Sequence, residues 1–71
     1  MRLKIADAAR ILDMPKQAVR IGLQREKLPI GYAVQRTASS KWAYYINPVQ
    51  LAAYAGLSLQ ELKKAVAEWK N

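Results

Sequence analysis

A mainly helical fold carrying one small β-hairpin is what this sequence predicts, and three observations carry the prediction. Apolar and small residues recur at three- and four-residue steps near both ends of the chain, which is the helical period. Two short runs between them, KLPIGYAVQR and KWAYYI, are rich in aromatic and β-branched residues, as strands are. Asp13-Met14-Pro15, Asn47-Pro48 and Gly56 punctuate the periodic stretches. With 71 residues, the chain is expected to form a single domain over 1–71, near the lower size at which one core holds without staples.

Ile5, Ala8, Ala9 and Leu12, then Ala18, Val19 and Leu23, keep the period on both sides of Asp13-Met14-Pro15. Proline inside a helix loses a hydrogen bond and collides with the preceding turn, yet it is favoured in the first turn. Pro15 is therefore predicted to start a second helix that runs to about Arg25. Aspartate tolerates a left-handed backbone, so Asp13 can end the first helix within a connection of about three residues. Two short helices joined this tightly make a helix-turn-helix, whose second helix commonly enters the major groove of DNA. On that second helix Lys16, Gln17, Arg20, Gln24 and Arg25 fall largely away from the apolar side made by Ala18, Val19 and Leu23.

The two β-type runs are separated by Thr37, Ala38, Ser39 and Ser40, the composition of a polar hairpin tip. Alternation puts Tyr32, Val34 and Arg36 on one side of the first strand, and Trp42, Tyr44 and Ile46 on one side of the second. An isolated hairpin is marginal, so its aromatics are expected in the core, with Trp42 as the anchor. Arg36 and Lys41 flank the tip. A helix-turn-helix followed by a hairpin with basic flanks is the layout of a winged helix-turn-helix, whose wing touches the neighbouring groove or phosphates.

Asn47-Pro48 places a capping residue before a proline at the first helical position, and predicts a third helix from Pro48 to about Ala55 closed by Gly56. Ser58 and Glu61 have capping-box spacing. Behind them Leu59, Leu62, Val66 and Trp69 line one side of a last helix to about Lys70. Core packing is the expected use of that side; a docking surface for a partner or a second copy is the alternative.

Composition narrows the function. The chain has no cysteine and no histidine, which removes disulfides, thiolate metal sites, the usual general base and the usual zinc ligand, so no enzyme is expected. No apolar run approaches the length of a membrane span and no signal-peptide pattern is visible, so a cytoplasmic protein is expected. Net charge is +7, and its distribution is uneven. Residues 1–46 carry nine Lys or Arg against three acids, whereas residues 47–71 carry three against two. Basic charge gathered on the helix-turn-helix half is the electrostatic footprint of a nucleic-acid binder, since neutralised phosphates release counterions.

The segment IADAARILDMPKQAVRIGLQREKLP resembles the excisionase and MerR-like winged helix-turn-helix domains, through Ala8, Ala9, Leu12, Val19, Arg20 and Lys27-Leu28-Pro29. KWAYYINPVQLAAYAG is similar to their second strand and following helix. The resemblance covers residues 3–56 and leaves out 57–71. Two residues depart from it: Asp13 stands where glycine is common, and Glu26 replaces a glycine that often precedes Lys-Leu-Pro, which suggests a different exit from the second helix. The resemblance implies a sequence-specific double-stranded DNA-binding protein of a phage or mobile element, needing no cofactor. Excisionases bend DNA beside an attachment site and favour excision by an integrase; relatives act as transcriptional regulators or as DNA-recognition subunits of terminases.

The expected DNA contacts follow. Arg20 has a planar fork able to grip phosphate or read guanine, and Lys16 and Gln17 sit at the helix end that usually approaches the bases. Gln24, Arg25 and Lys27, with Arg36, Ser39, Ser40 and Lys41 of the wing, are expected against the backbone. Arg2 and Arg10 have no spacing that favours DNA over solvent. Two other classes stay open: a single-stranded nucleic-acid binder stacking bases on Tyr32, Trp42, Tyr44 and Tyr45, and a protein-interaction module docking onto an integrase, another partner or itself through Leu59, Leu62, Val66 and Trp69.

Overall fold

The computed structural model describes residues 2–36 and 41–69. It orders them as α1 (Ile5–Leu12), α2 (Lys16–Gln24), β1 (Gly31–Gln35), β2 (Trp42–Ile46), α3 (Pro48–Ala55) and α4 (Leu59–Trp69). The coarse prediction therefore holds: a small, mainly helical protein with one two-stranded antiparallel hairpin. No described helix is long and apolar enough to cross a membrane.

The break between α1 and α2 has the expected cause. Asp13 adopts a left-handed backbone, φ 54° and ψ 49°, and its N–H donates to the carbonyls of Ala9 and Arg10. Met14 N–H returns to the Ala9 carbonyl at 2.9 Å, so the carbonyls at the end of α1 find donors within the turn. Pro15 is placed one position earlier than expected: its backbone is extended, it caps α2 from outside, and its carbonyl accepts from Val19 N–H at 3.2 Å. A residue without an N–H loses nothing at that position.

At the far end of α2, Glu26 also takes a positive φ, 56°. The N–H groups of Lys27 and Leu28 both return to the carbonyl of Gly22, at 2.8 and 3.2 Å. The exit from α2 is thus a left-handed turn of the kind glycine favours, made here by Glu26. Gly22 eases this closure: a Cβ there would lie 3.0 Å from the Leu28 Cβ, so the Leu28 side chain would have to give by a few tenths of an ångström.

In the hairpin Gly31 pairs with Ile46, Ala33 with Tyr44 and Gln35 with Trp42. A Cβ on Gly31 would come within 1.9 Å of the Tyr45 carbonyl oxygen, so only glycine fits where β1 begins. Ala33, Tyr44 and Ile46 face the core, whereas Tyr32, Val34 and Tyr45 are exposed. The two predicted sets of alternating residues therefore occupy opposite faces. Trp42 is half-buried beside the tip, and the anchoring expected of it falls to Tyr44 and Ile46, which sit at the end of β2 nearer the helices.

Asn47 caps α3, its Oδ1 accepting from Val49 and Gln50 N–H at 2.9 and 3.2 Å, and Gly56 ends the helix at φ 74°. The Ser58–Glu61 capping box forms: Ser58 N–H donates to Glu61 Oε1 at 2.9 Å, and Glu61 N–H to Ser58 Oγ at 3.1 Å. Glu61 is fully exposed; the Ser58 backbone N–H, and then its hydroxyl, hold the carboxyl below the ordinary glutamate range.

One cluster of buried side chains joins Leu3, α1, α2, the Leu28–Ile30 loop, α3 and α4. Leu62 and Val66 belong to it at 0% and 5% exposure, with Trp69 packed on its edge under the Arg10 guanidinium, 4.5 Å from the ring centre. This corrects the alternative of a docking surface through Leu59, Leu62, Val66 and Trp69. The middle of that row is spent on the chain's own core, and a partly exposed Leu59 is what remains at the surface.

Candidate functional site

The feature that gathers charged side chains is the outer face of α2 together with the hairpin beside it. Val19 and Leu23 turn α2 into the core at 0% and 2% exposure. At about 100° per residue this directs Gln17, Arg20, Ile21 and Gln24 away from the core. Lys16 and Gln17 are exposed at the start of the helix, and Arg20 is half-exposed one turn later, its Nη1 donating to Gln17 Oε1 at 3.4 Å. Arg25 and Lys27 are exposed where the chain leaves α2.

Gln24 is half-buried, and its Nε2 donates to the Tyr44 hydroxyl at 2.5 Å. The bond joins the last turn of α2 to the second strand of the hairpin, residues 20 positions apart. Gln24 was expected to contact phosphate; in the fold its amide is committed to holding the hairpin against α2. The hairpin leads to Arg36 and Lys41, both exposed, whose backbones pair through Arg36 N–H to the Lys41 carbonyl at 3.1 Å. Ser39 and Ser40 lie outside the described residues.

Two side chains join the site that spacing alone did not place there. Arg2 lines a cleft along β2 together with Leu3, Arg36 and Ala43 to Ile46, which brings a second guanidinium to the Arg36 side of the hairpin. Ile21 sits at the middle of the outward face of α2. Its angle on a helical wheel contains that information, but an isoleucine in a periodic apolar stretch is easily read as core. The outer side of the hairpin carries a further feature: Tyr32 and Tyr45, 56% and 52% exposed, stack on each other with ring centres 4.9 Å apart.

Against family models, curated proteins and solved structures, the chain has no match. Among the described residues no charged side chain is buried. No group of three His, Cys, Asp or Glu among them could hold a metal. What the face offers is cations and the Gln17 amide presented to solvent on a helix about as wide as the major groove.

Proposed function

We propose that the chain is a sequence-specific double-stranded DNA-binding protein of winged helix-turn-helix type, with α2 in the major groove and the hairpin as the wing. The observation that carries the reading is that α2, whose outer face presents exposed Lys16 and Gln17 and half-exposed Arg20, is tied at its last turn by the Gln24–Tyr44 bond to the hairpin that carries Arg36 and Lys41. A tight left-handed turn at Asp13 precedes α2, and Lys16 and Gln17 are exposed at the helix end where bases would be approached. Arg25, Lys27, Arg36 and Lys41 supply phosphate contacts on either side. Among proteins of this type, the resemblance over residues 3–56 favours an excisionase, a directionality factor that works beside an integrase in the cytoplasm. A phage-type regulator and a terminase DNA-recognition subunit share the same binding step.

The test is fluorescence anisotropy of labelled duplex DNA with the full chain across a salt series, for wild type and Arg20→Ala. Affinity should fall steeply as salt rises, with each lost phosphate contact flattening the slope of log K against log salt by about 0.9. Arg20→Ala should bind more weakly while melting like wild type. No binding to duplex at low salt would overturn the reading. The exposed Tyr32–Tyr45 pair favours a second reading, single-stranded nucleic acid stacked on the outer face of the hairpin. In that case single strands would outcompete duplex, and Tyr45→Ala would weaken binding more than Arg20→Ala.

A further inference from the structure

We infer that Ile21 is a base-reading residue that packs its aliphatic side chain against the 5-methyl group of a thymine. The inference rests on the duplex-DNA reading and adds to it the identity of one base pair inside the α2 footprint. Ile21 is 37% exposed and is the one exposed large hydrophobic side chain on α2; the others among the described residues lie on the hairpin, α3 and α4. It sits one turn after Gln17 and one turn before Arg25, on the side opposite Val19 and Leu23.

Neither the core nor helix propensity accounts for it. The buried stripe of α2 is filled by Val19 and Leu23, and a β-branched residue is a weaker helix former than the Gln, Lys or Arg around it. Of its polar neighbours, Gln24 is tied to Tyr44, and Gln17 accepts from Arg20 at 3.4 Å at the surface. The face thus has polar flanks and an apolar centre. In the major groove the four base pairs differ by donors, acceptors and a single apolar group, the thymine methyl. An isoleucine at the centre of a groove-facing surface has that group as its natural partner, and it would be set against the polar edges of cytosine.

The full-length chain is first used to enrich duplexes from a random-sequence pool, and anisotropy is then measured on the enriched duplex with each thymine in turn replaced by deoxyuridine. Removal of one methyl should weaken wild-type binding about fourfold at one position, the worth of one buried methyl group. Ile21→Ala should bind the thymine and uracil duplexes alike, with the wild-type salt slope and wild-type helix content by circular dichroism. Wild type indifferent to every replacement, discrimination that survives in Ile21→Ala, or a pool that enriches no sequence would each overturn the Ile21 assignment. In the first two the salt-dependent, sequence-selective duplex binding, and with it the parent reading, would stand; a pool that enriches no sequence would leave duplex binding but take away its sequence specificity. Absence of any duplex binding at low salt would remove both.

Discussion

Asp13 and Glu26 show how single residues shape the two ends of the connection around α2. Both take positive φ, 54° and 56°, but aspartate visits that region with help from its short polar side chain, whereas glutamate has no such relief. Glu26→Gly should therefore stabilise the protein by about 0.5–1 kcal/mol, the relief of left-handed strain less the extra freedom glycine gains in the unfolded chain. Asp13→Gly should change stability less. Thermal or urea denaturation of the two variants checks the order, and a destabilised Glu26→Gly would contradict the left-handed turn. At the junction of α2 and hairpin, Tyr44→Phe leaves the half-buried Gln24 amide without its acceptor. It should lower stability by about 1 kcal/mol, and should reduce duplex affinity beyond what that loss explains, since the side-chain bond that ties the hairpin to the last turn of α2 is gone.

Among the elements, the two C-terminal helices depend on their first turns. α3 and α4 have 8 and 11 residues, too few to persist alone, so the caps matter to whether they form at all. Asn47→Ala removes the acceptor for Val49 and Gln50 N–H and should cost about 1 kcal/mol in a denaturant titration. Glu61 gives α4 a pH dependence. Because its carboxyl titrates lower in the folded state than in the unfolded chain, it stabilises the protein above the ordinary glutamate range. That contribution declines as pH falls toward the lowered folded value. Glu61→Gln can still accept from Ser58 N–H but carries no charge. The melting temperature of wild type should therefore fall more steeply than that of the variant between roughly pH 5 and pH 3.

For the whole molecule the decisive fact is that the last helix completes the core. Leu62 is fully buried with Leu23, Ile30, Leu51 and Val19. Leu62→Ala should cost about 2–5 kcal/mol, a large part of the stability of so small a domain. A chain truncated after Gly56 should lose cooperative thermal unfolding, and a truncated chain that melts like the intact one would show that α4 is not needed for the core. The charge asymmetry also acts at this scale, since residues 1–46 hold most of the net charge of +7 and contain both α2 and the hairpin.

What the sequence determined by itself is what local physics decides: the period of each helix, the left-handed Asp13, the Asn47 cap, the Gly56 stop, the Ser58–Glu61 box and the two strands. Each depends on residues within about one turn of one another, so spacing and residue type suffice. Only the tertiary structure decided which faces meet. Alternation sorts hairpin residues into two sets without saying which set is inside, and packing against the helices gave Ala33, Tyr44 and Ile46 the core and left Trp42 at its margin. The same holds at the candidate site. The sequence supplied Lys16, Gln17 and Arg20 on one helix, and the helical period already turns Ile21 outward with them, but the Gln24–Tyr44 bond and the approach of Arg2 to the Arg36 side come from elements far apart in the chain meeting in space. Long-range contacts depend on how all buried surfaces are shared at once, and no local pattern encodes that division.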